Sequence, residues 1–277
     1  MAELVGAFAV SHTPVMLNFP EAVEAADRDA IYGRFREIGA RVRECRPDAL
    51  IVVSDDHLHN FFLDNFPAFC IGAGDRYAAP AEHWLRARRH ELRGDADLGA
   101  HLLGEALQAG FDPSFSMQLT LDHGVLTPLL LAGIADDVAV VPLLINCVQP
   151  PMPTMQRCLE WGRLVRSAIH TYDAGKRVAL LATGGISHDV ATPRMGFVNE
   201  AFDREFLRLL AAHDDHSLVK FCADHVDEAG NGAEEIRNWL LVHGAAGGAS
   251  FVPSYFKPVQ SWYTGIALGC WQLGGVA

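Results

Sequence analysis

Positive charge is in short supply in this sequence. Its 22 lysines and arginines stand against 34 aspartates and glutamates, a formal net charge of −12 over 277 residues. A nucleic-acid backbone is bound through a basic face, so the balance argues against that class of partner. Long apolar runs are missing too: none approaches the ~20 residues that span a bilayer, which argues against a membrane protein. The opening stretch MAELVGAFAV has no basic n-region and does not read as a signal peptide, so a cytoplasmic protein is expected. The six cysteines (Cys45, Cys70, Cys147, Cys158, Cys222, Cys270) form no CxxC pair and no short-spaced cluster. That spacing argues against the usual structural zinc patterns and suits small, reduced core residues. Repeats and low-complexity segments are absent, and only residues 74–94, charged and containing Pro80, are loosely linker-like.

What is present is the composition of a compact domain, half hydrophobic and one-fifth charged, in a chain long enough for a sizeable core. Apolar runs predict strands at 4–10, 49–55, 68–73, 138–146, 178–183 and 263–270. Helical periodicity predicts helices near 21–45, 95–109, 124–134, 154–172 and 197–211. Strands separated by helices imply an α/β fold: a mixed β-sheet covered by helices on both faces, with residues 1–277 as a single domain.

Four histidines stand at element ends on this map: Ser11-His12-Thr13-Pro14, Asp55-Asp56-His57, Leu121-Asp122-His123-Gly124 and Gly184-Gly185-Ile186-Ser187-His188. Ligands of open α/β sheets gather outside the carboxyl ends of the strands, so His12, His57 and His188 are expected to converge there. The glycines before His188 let the backbone turn sharply, and could leave room for a flat ring. Each histidine taken singly could equally be a capped polar residue; four in one topological position weaken that view. Imidazole is the commonest metal ligand, and Asp56, Asp122 and Asp189 adjoin three of the four, though sequence neighbours need not touch. His59 competes with His57, which lies nearer the strand end.

A carboxylate to join them is found in NGAEEIRNWLLVHG (231–244), read as a turn at Asn231-Gly232, a helix, and a stop at Gly244. Glu235, Trp239 and Val242 fall on one apolar face, while Glu234, Arg237 and Asn238 fall towards the polar side. Glu235 is then the inward carboxylate, unless both glutamates only complement the helix N-terminus.

SHTP, SDDHLHNFF, LDHG, PMPTMQR (Pro151 to Arg157), TGGISH and EIRNW, in this order over roughly residues 5–270, resemble the class III extradiol ring-cleavage dioxygenases. That superfamily includes the catalytic subunit of protocatechuate 4,5-dioxygenase and the 2,3-dihydroxyphenylpropionate dioxygenases. The resemblance implies that His12, His57 and Glu235 hold non-haem Fe(II) as a facial triad with open positions. It implies His188 as the catalytic acid/base and His123 as a second catalytic histidine in the substrate pocket. His188 would accept a proton from a catechol and return it during O–O cleavage, and an unperturbed imidazole pKa near ~6.5 suits that work. The product would be a muconic semialdehyde-type compound. Beyond the diol and O2, the family's substrates imply an acidic substituent, for which Arg157 and His59 are substrate-binding candidates. An arginine opening a helix is, however, more often a surface pair. The segment 59–69 could line the pocket, an interface or the core. No appended helical domain is present of the kind that reaches some relatives as a small subunit, so homo-oligomerisation or a small helical partner is expected to close the site. A zinc-dependent hydrolase on the same His/Glu set, or a non-enzymatic relative, are the rival readings.

Overall fold

The computed structural model describes residues 1–212 and 214–274. Among them are ten strands and eight α-helices. They begin with β1 (Glu3–Val10), α1 (Val15–Asn18), α2 (Ala25–Glu44), β2 (Ala49–Asp55), β3 (Phe69–Gly72), β4 (Arg76–Ala79), β5 (His90–Arg93) and α3 (Ala96–Gln108). β6 (Ser114–Ser116), α4 (His123–Ala132), β7 (Ala139–Ile145), α5 (Met155–Thr171) and β8 (Arg177–Thr183) follow. The chain closes with α6 (Glu200–Ala211), α7 (Asp215–Ala229), α8 (Ile236–Ala246), β9 (Ser250–Val259) and β10 (Thr264–Gln272).

Eight strands form one sheet in the order β6-β3-β7-β2-β8-β1-β10-β9, and β4 and β5 pair separately. The four central strands β7, β2, β8 and β1 are parallel, whereas β10, β9 and β3 join antiparallel, so the sheet is mixed as expected. All seven residues of ALIVVSD in β2 are buried, the mark of a parallel strand covered on both faces. The two-residue period sorts its side chains. Ala49, Ile51 and Val53 join the core beneath α3, α5, α6, α7 and α8, and Leu50 and Val52 the core beneath α2 and α4.

Val10 pairs with Thr183 and Val53 with Ala182, so β1, β8 and β2 finish nearly level. Residues following them therefore emerge at one edge of the sheet. Gly244, expected to stop a helix, instead lies inside α8, which runs on to Ala246. A Cβ there would meet Leu159 O at 2.2 Å, and one at Gly162 would meet Leu241 O at 1.8 Å, so the pair lets α5 and α8 approach closely. The expected polar side of this helix is also absent. Every residue of α8 is buried, and Arg237 and Glu234 satisfy each other and the Pro153 carbonyl inside the protein.

Residues 74–94 are no linker. They hold the β4–β5 hairpin, and Gly94 bridges to Val140 of the main sheet. The short α1, α7, β6 and β9 lie outside the expected elements.

Candidate active site

His12 follows β1 by two residues, where Ser11 is pinned by bonds with Ala267: Ser11 N donates to its carbonyl at 2.8 Å, and Ala267 N donates to Ser11 Oγ at 3.0 Å. His57 follows β2 by two residues, and His123 opens α4 behind the N-cap Asp122. Glu235 ends the 3-10 turn Asn231–Glu235 immediately before α8. These elements bring the imidazoles of His12, His57 and His123 together, with ring centroids 5.6 Å (His12–His57), 5.3 Å (His12–His123) and 4.1 Å (His57–His123) apart. Glu235 Oε1 lies 3.3 Å from His57 Nε2 and 3.9 Å from His188 Nε2. All five residues thus meet.

Among the described residues three groupings could hold a metal ion, each with ligand atoms within 4.8 Å of one another: His12, His57 and His123; Asp55, His57 and Glu235; and His59, Glu82 and Asp122, the first two sharing His57. Asp55, buried at the end of β2, comes within 3.3 Å of His57 Nε2 and was not singled out from the sequence. Neither oxygen of Asp55 has a hydrogen-bond partner, and neither does His12 Nδ1. Buried carboxylates and imidazoles left this short of partners are the donor set a divalent cation satisfies.

The supporting contacts differ from those suggested by sequence adjacency. Asp122 holds His57 instead of its neighbour His123, accepting the His57 backbone N–H at 2.8 Å and facing Nδ1 at 3.0 Å. That leaves His57 Nε2 turned towards Glu235. Asp56 caps the backbone N–H groups of His59, Asn60 and Phe61, and Asp189 pairs with Arg194. The carboxylate on His123 comes from Glu82, whose Oε1 is 2.5 Å from Nδ1. Glu82 carried no signal in the sequence, because its partner lies 41 residues downstream.

The GGISH turn is arranged around Glu235. Gly185 N donates to Glu235 Oε2 at 2.5 Å, and a Cβ at Gly184 would stand 2.4 Å from the same oxygen. The space beside Gly184 is therefore filled by the carboxylate, contrary to the expectation that it would admit a substrate ring. A Cβ at Gly232 would stand 2.1 Å from His188 Nε2, so that glycine makes room for the imidazole. His188 Nδ1 faces the Ile186 carbonyl at 3.1 Å.

Electrostatics divides the cluster. Burial pushes the His12 pKa down to about 3, so its imidazole is neutral. Burial also lowers His123, reinforced by His57. For His57 burial acts in the same direction, but Asp55 and Asp122 outweigh it and raise the pKa well above the ordinary value. Burial opposes ionisation of Glu235, yet His12 and His57 hold its carboxyl well below the usual range. Asp55 is raised by burial. Without a cation, His57 is the group that takes up the charge.

Two expected substrate contacts fall outside this centre. His59 Nε2 is 3.5 Å from Glu82 Oε1, on the His123 side and not in a group with Glu235. Arg157 is not brought to the cluster. Its backbone N–H is capped by Thr154, and its guanidinium lies 3.4 Å from the centroid of the Phe111 ring and donates to Gly110 O, which uses it for packing α5 on the end of α3.

The architecture matches the crystal structure of an uncharacterised Escherichia coli K12 protein, with a TM-score of 0.66 and 16% identity over 97% of this chain and 100% of that one. In sequence, the chain is 27% identical to a 2,3-dihydroxyphenylpropionate/2,3-dihydroxicinnamic acid 1,2-dioxygenase of Photorhabdus laumondii, over 93% of this chain and 94% of that protein. It is 29% identical to the enzyme of the same name from Cupriavidus necator, over 93% and 92%. A gallate dioxygenase of Pseudomonas putida is 36% identical over 63% of this chain and 52% of its own length. Residues 6–266 match the family model of the catalytic LigB subunit of aromatic ring-opening dioxygenase. With a buried histidine and carboxylate centre at the strand ends and a family match spanning nearly the whole sheet, the chain belongs to the LigB family of aromatic ring-opening dioxygenases.

Proposed function

We propose that residues 1–277 form a single catalytic domain that opens the ring of a catechol outside its diol, consuming O2 and using Fe(II). The observation that carries this reading is the meeting at His57 of His12, whose Nδ1 has no partner, and Glu235, 3.3 Å from His57 Nε2, with His123 and His188 alongside. His12, His57 and Glu235 would hold the metal. Fe(II), when bound, would offer open positions to the diol and O2 and lower the pKa of the diol hydroxyls.

The remaining residues then act on substrate. His188 keeps Nδ1 against the Ile186 carbonyl, so Nε2 is the nitrogen available to take a proton from a diol hydroxyl and return it later. Gly232 gives that ring its space, and Asp122 keeps His57 oriented. His123, over which Trp84 lies at 6.1 Å between ring centroids, borders the substrate on the opposite side, with His59 behind it.

An acidic substituent on the catechol is supported by the relatives, which are named for dihydroxyphenylpropionate, dihydroxicinnamic acid and gallate. A second copy of the chain, or a small helical partner, would cover the site. Exposed Leu58, Phe62 and Leu63 after β2, and Val190, Met195 and Phe197 after His188, favour such a cover. No helix among the described residues is long and apolar enough to cross a membrane, and we place the protein in the cytoplasm.

The test is a panel of protocatechuate, gallate, 3-O-methylgallate, 2,3-dihydroxyphenylpropionate and catechol with anaerobically reconstituted Fe(II). Oxygen uptake with a yellow ring-fission product is expected for at least one acid. Iron bound without oxygen uptake on any catechol refutes the reading, and metal analysis with zinc separates a hydrolase.

A further inference from the structure

The segment between β4 and β5 delivers a carboxylate that none of the sequence motifs contains. The Glu82 side chain is fully buried, and an ionised carboxylate taken out of water is destabilised unless partners hold it. Its hydrogen-bond partner is His123, twice over: Oε1 accepts the backbone N–H at 2.9 Å and faces ring Nδ1 at 2.5 Å, with His59 Nε2 farther off at 3.5 Å from the same oxygen. Oε2 has no hydrogen-bond partner, so the whole interaction runs through one oxygen. Both halves of the pair are clamped to the same backbone. Ala81 N donates to Leu121 O at 2.9 Å and Leu121 N to Ala78 O at 2.8 Å, one residue from Glu82 and two from His123.

An imidazole that faces a carboxylate through Nδ1 keeps its proton there, and its other nitrogen carries the lone pair. The ring so fixed lies against His57 and His12, at 4.1 and 5.3 Å between centroids. We propose that Glu82 is a positioning residue: it fixes His123 as the Nδ1–H tautomer and aims Nε2 at a diol hydroxyl as a hydrogen-bond acceptor. The role of that nitrogen rests on the ring-cleavage reading, whereas the tautomer rests on the geometry alone. His123 is then an acceptor in its neutral form, whereas the family resemblance suggests a hydrogen-bond donor to a bound or substrate oxygen.

Two measurements test this. A long-range proton–nitrogen NMR spectrum of the full chain loaded with diamagnetic zinc should show His123 protonated at Nδ1; protonation at Nε2 overturns the assignment. With Fe(II), Glu82→Ala should lower kcat on the order of 10–100-fold while iron content and the catechol KM stay within about threefold. Glu82→Gln, which retains an acceptor oxygen, should recover most of that loss. Wild-type kcat in Glu82→Ala, or equal losses in both variants, overturns the proposal. Should the wild-type chain open no catechol, the ring-cleavage reading fails by itself, and the spectrum still decides the tautomer.

Discussion

His188 differs from the other site histidines in what holds it. His57 and His123 each have a carboxylate on Nδ1, whereas His188 has only the Ile186 carbonyl there and a 3.9 Å approach to Glu235 from Nε2. The His188 ring is thus held by one neutral acceptor and not clamped by a carboxylate. His188→Ala should therefore retain iron and lose kcat on the order of 10²–10⁴-fold. Glu235→Ala should lose the iron itself, and iron analysis alongside turnover separates the two; loss of iron from His188→Ala would make it a ligand. The turn bearing His188 hangs on a second buried carboxyl. Asp203 accepts from Ser187 N and Ser187 Oγ, each at 2.9 Å, and burial pushes its pKa from 3.8 up to about 7. Between those values the folded chain binds more protons than the unfolded one, so stability falls as pH rises from about 4 to about 7. The shift bounds this contribution at about 4 kcal/mol. Asp203→Asn should flatten that limb of the stability–pH curve in thermal melts; an unchanged curve would remove Asp203 as its source.

The element that organises the centre is the start of α8. Four side chains within five residues make contacts from it. Glu235 takes Gly185 N, Arg237 donates to Pro153 O, Asn238 Nδ2 to Thr183 O at 3.0 Å, and Trp239 Nε1 to Gly184 O at 2.9 Å. Asn238 and Trp239 thus hold two successive carbonyls at the end of β8, while the Trp239 ring packs edge-on against Phe206 and Phe251. Trp239→Phe keeps the ring but leaves the Gly184 carbonyl buried without its donor, a cost of about 1–3 kcal/mol. Urea unfolding should show a lower midpoint at unchanged slope, with weakened iron binding because Glu235 loses its frame. A variant as stable as wild type would mean that another donor replaces the indole.

At the scale of the whole molecule, a sheet covered on both faces leaves one edge for chemistry, and the fold collects Asp55, Asp122, Glu82 and Glu235 there. Anions packed this closely repel one another, and His57 carries positive charge in their midst when no metal is bound. A cation should relieve that repulsion and couple to stability. Fe(II) at about a hundredfold excess over its Kd stabilises the folded state by about 2.7 kcal/mol. For a chain of this size that is a rise in Tm of roughly 5–10 °C under anaerobic conditions, reversed by chelator. No change in melting would mean the cluster does not hold iron.

The sequence by itself determined the central strands, because unbroken aliphatic runs such as ALIVVSD suit only a strand buried on both faces. It also determined which histidines end those strands, since the motifs are local and in order. The edge strand β9 was hidden by Pro253 and Pro258, which an edge tolerates because an outward N–H has no partner to lose. Helix α7 was hidden by a mostly charged surface over a narrow apolar stripe of Leu218, Cys222 and Val226. Only the tertiary structure decided the partners: Asp122 on His57 across 65 residues, Glu82 on His123 across 41, and Glu235 filling the space at Gly184. Local pattern sets where a side chain leaves its strand or helix, but a buried carboxylate's partner depends on which strand ends the sheet order brings side by side.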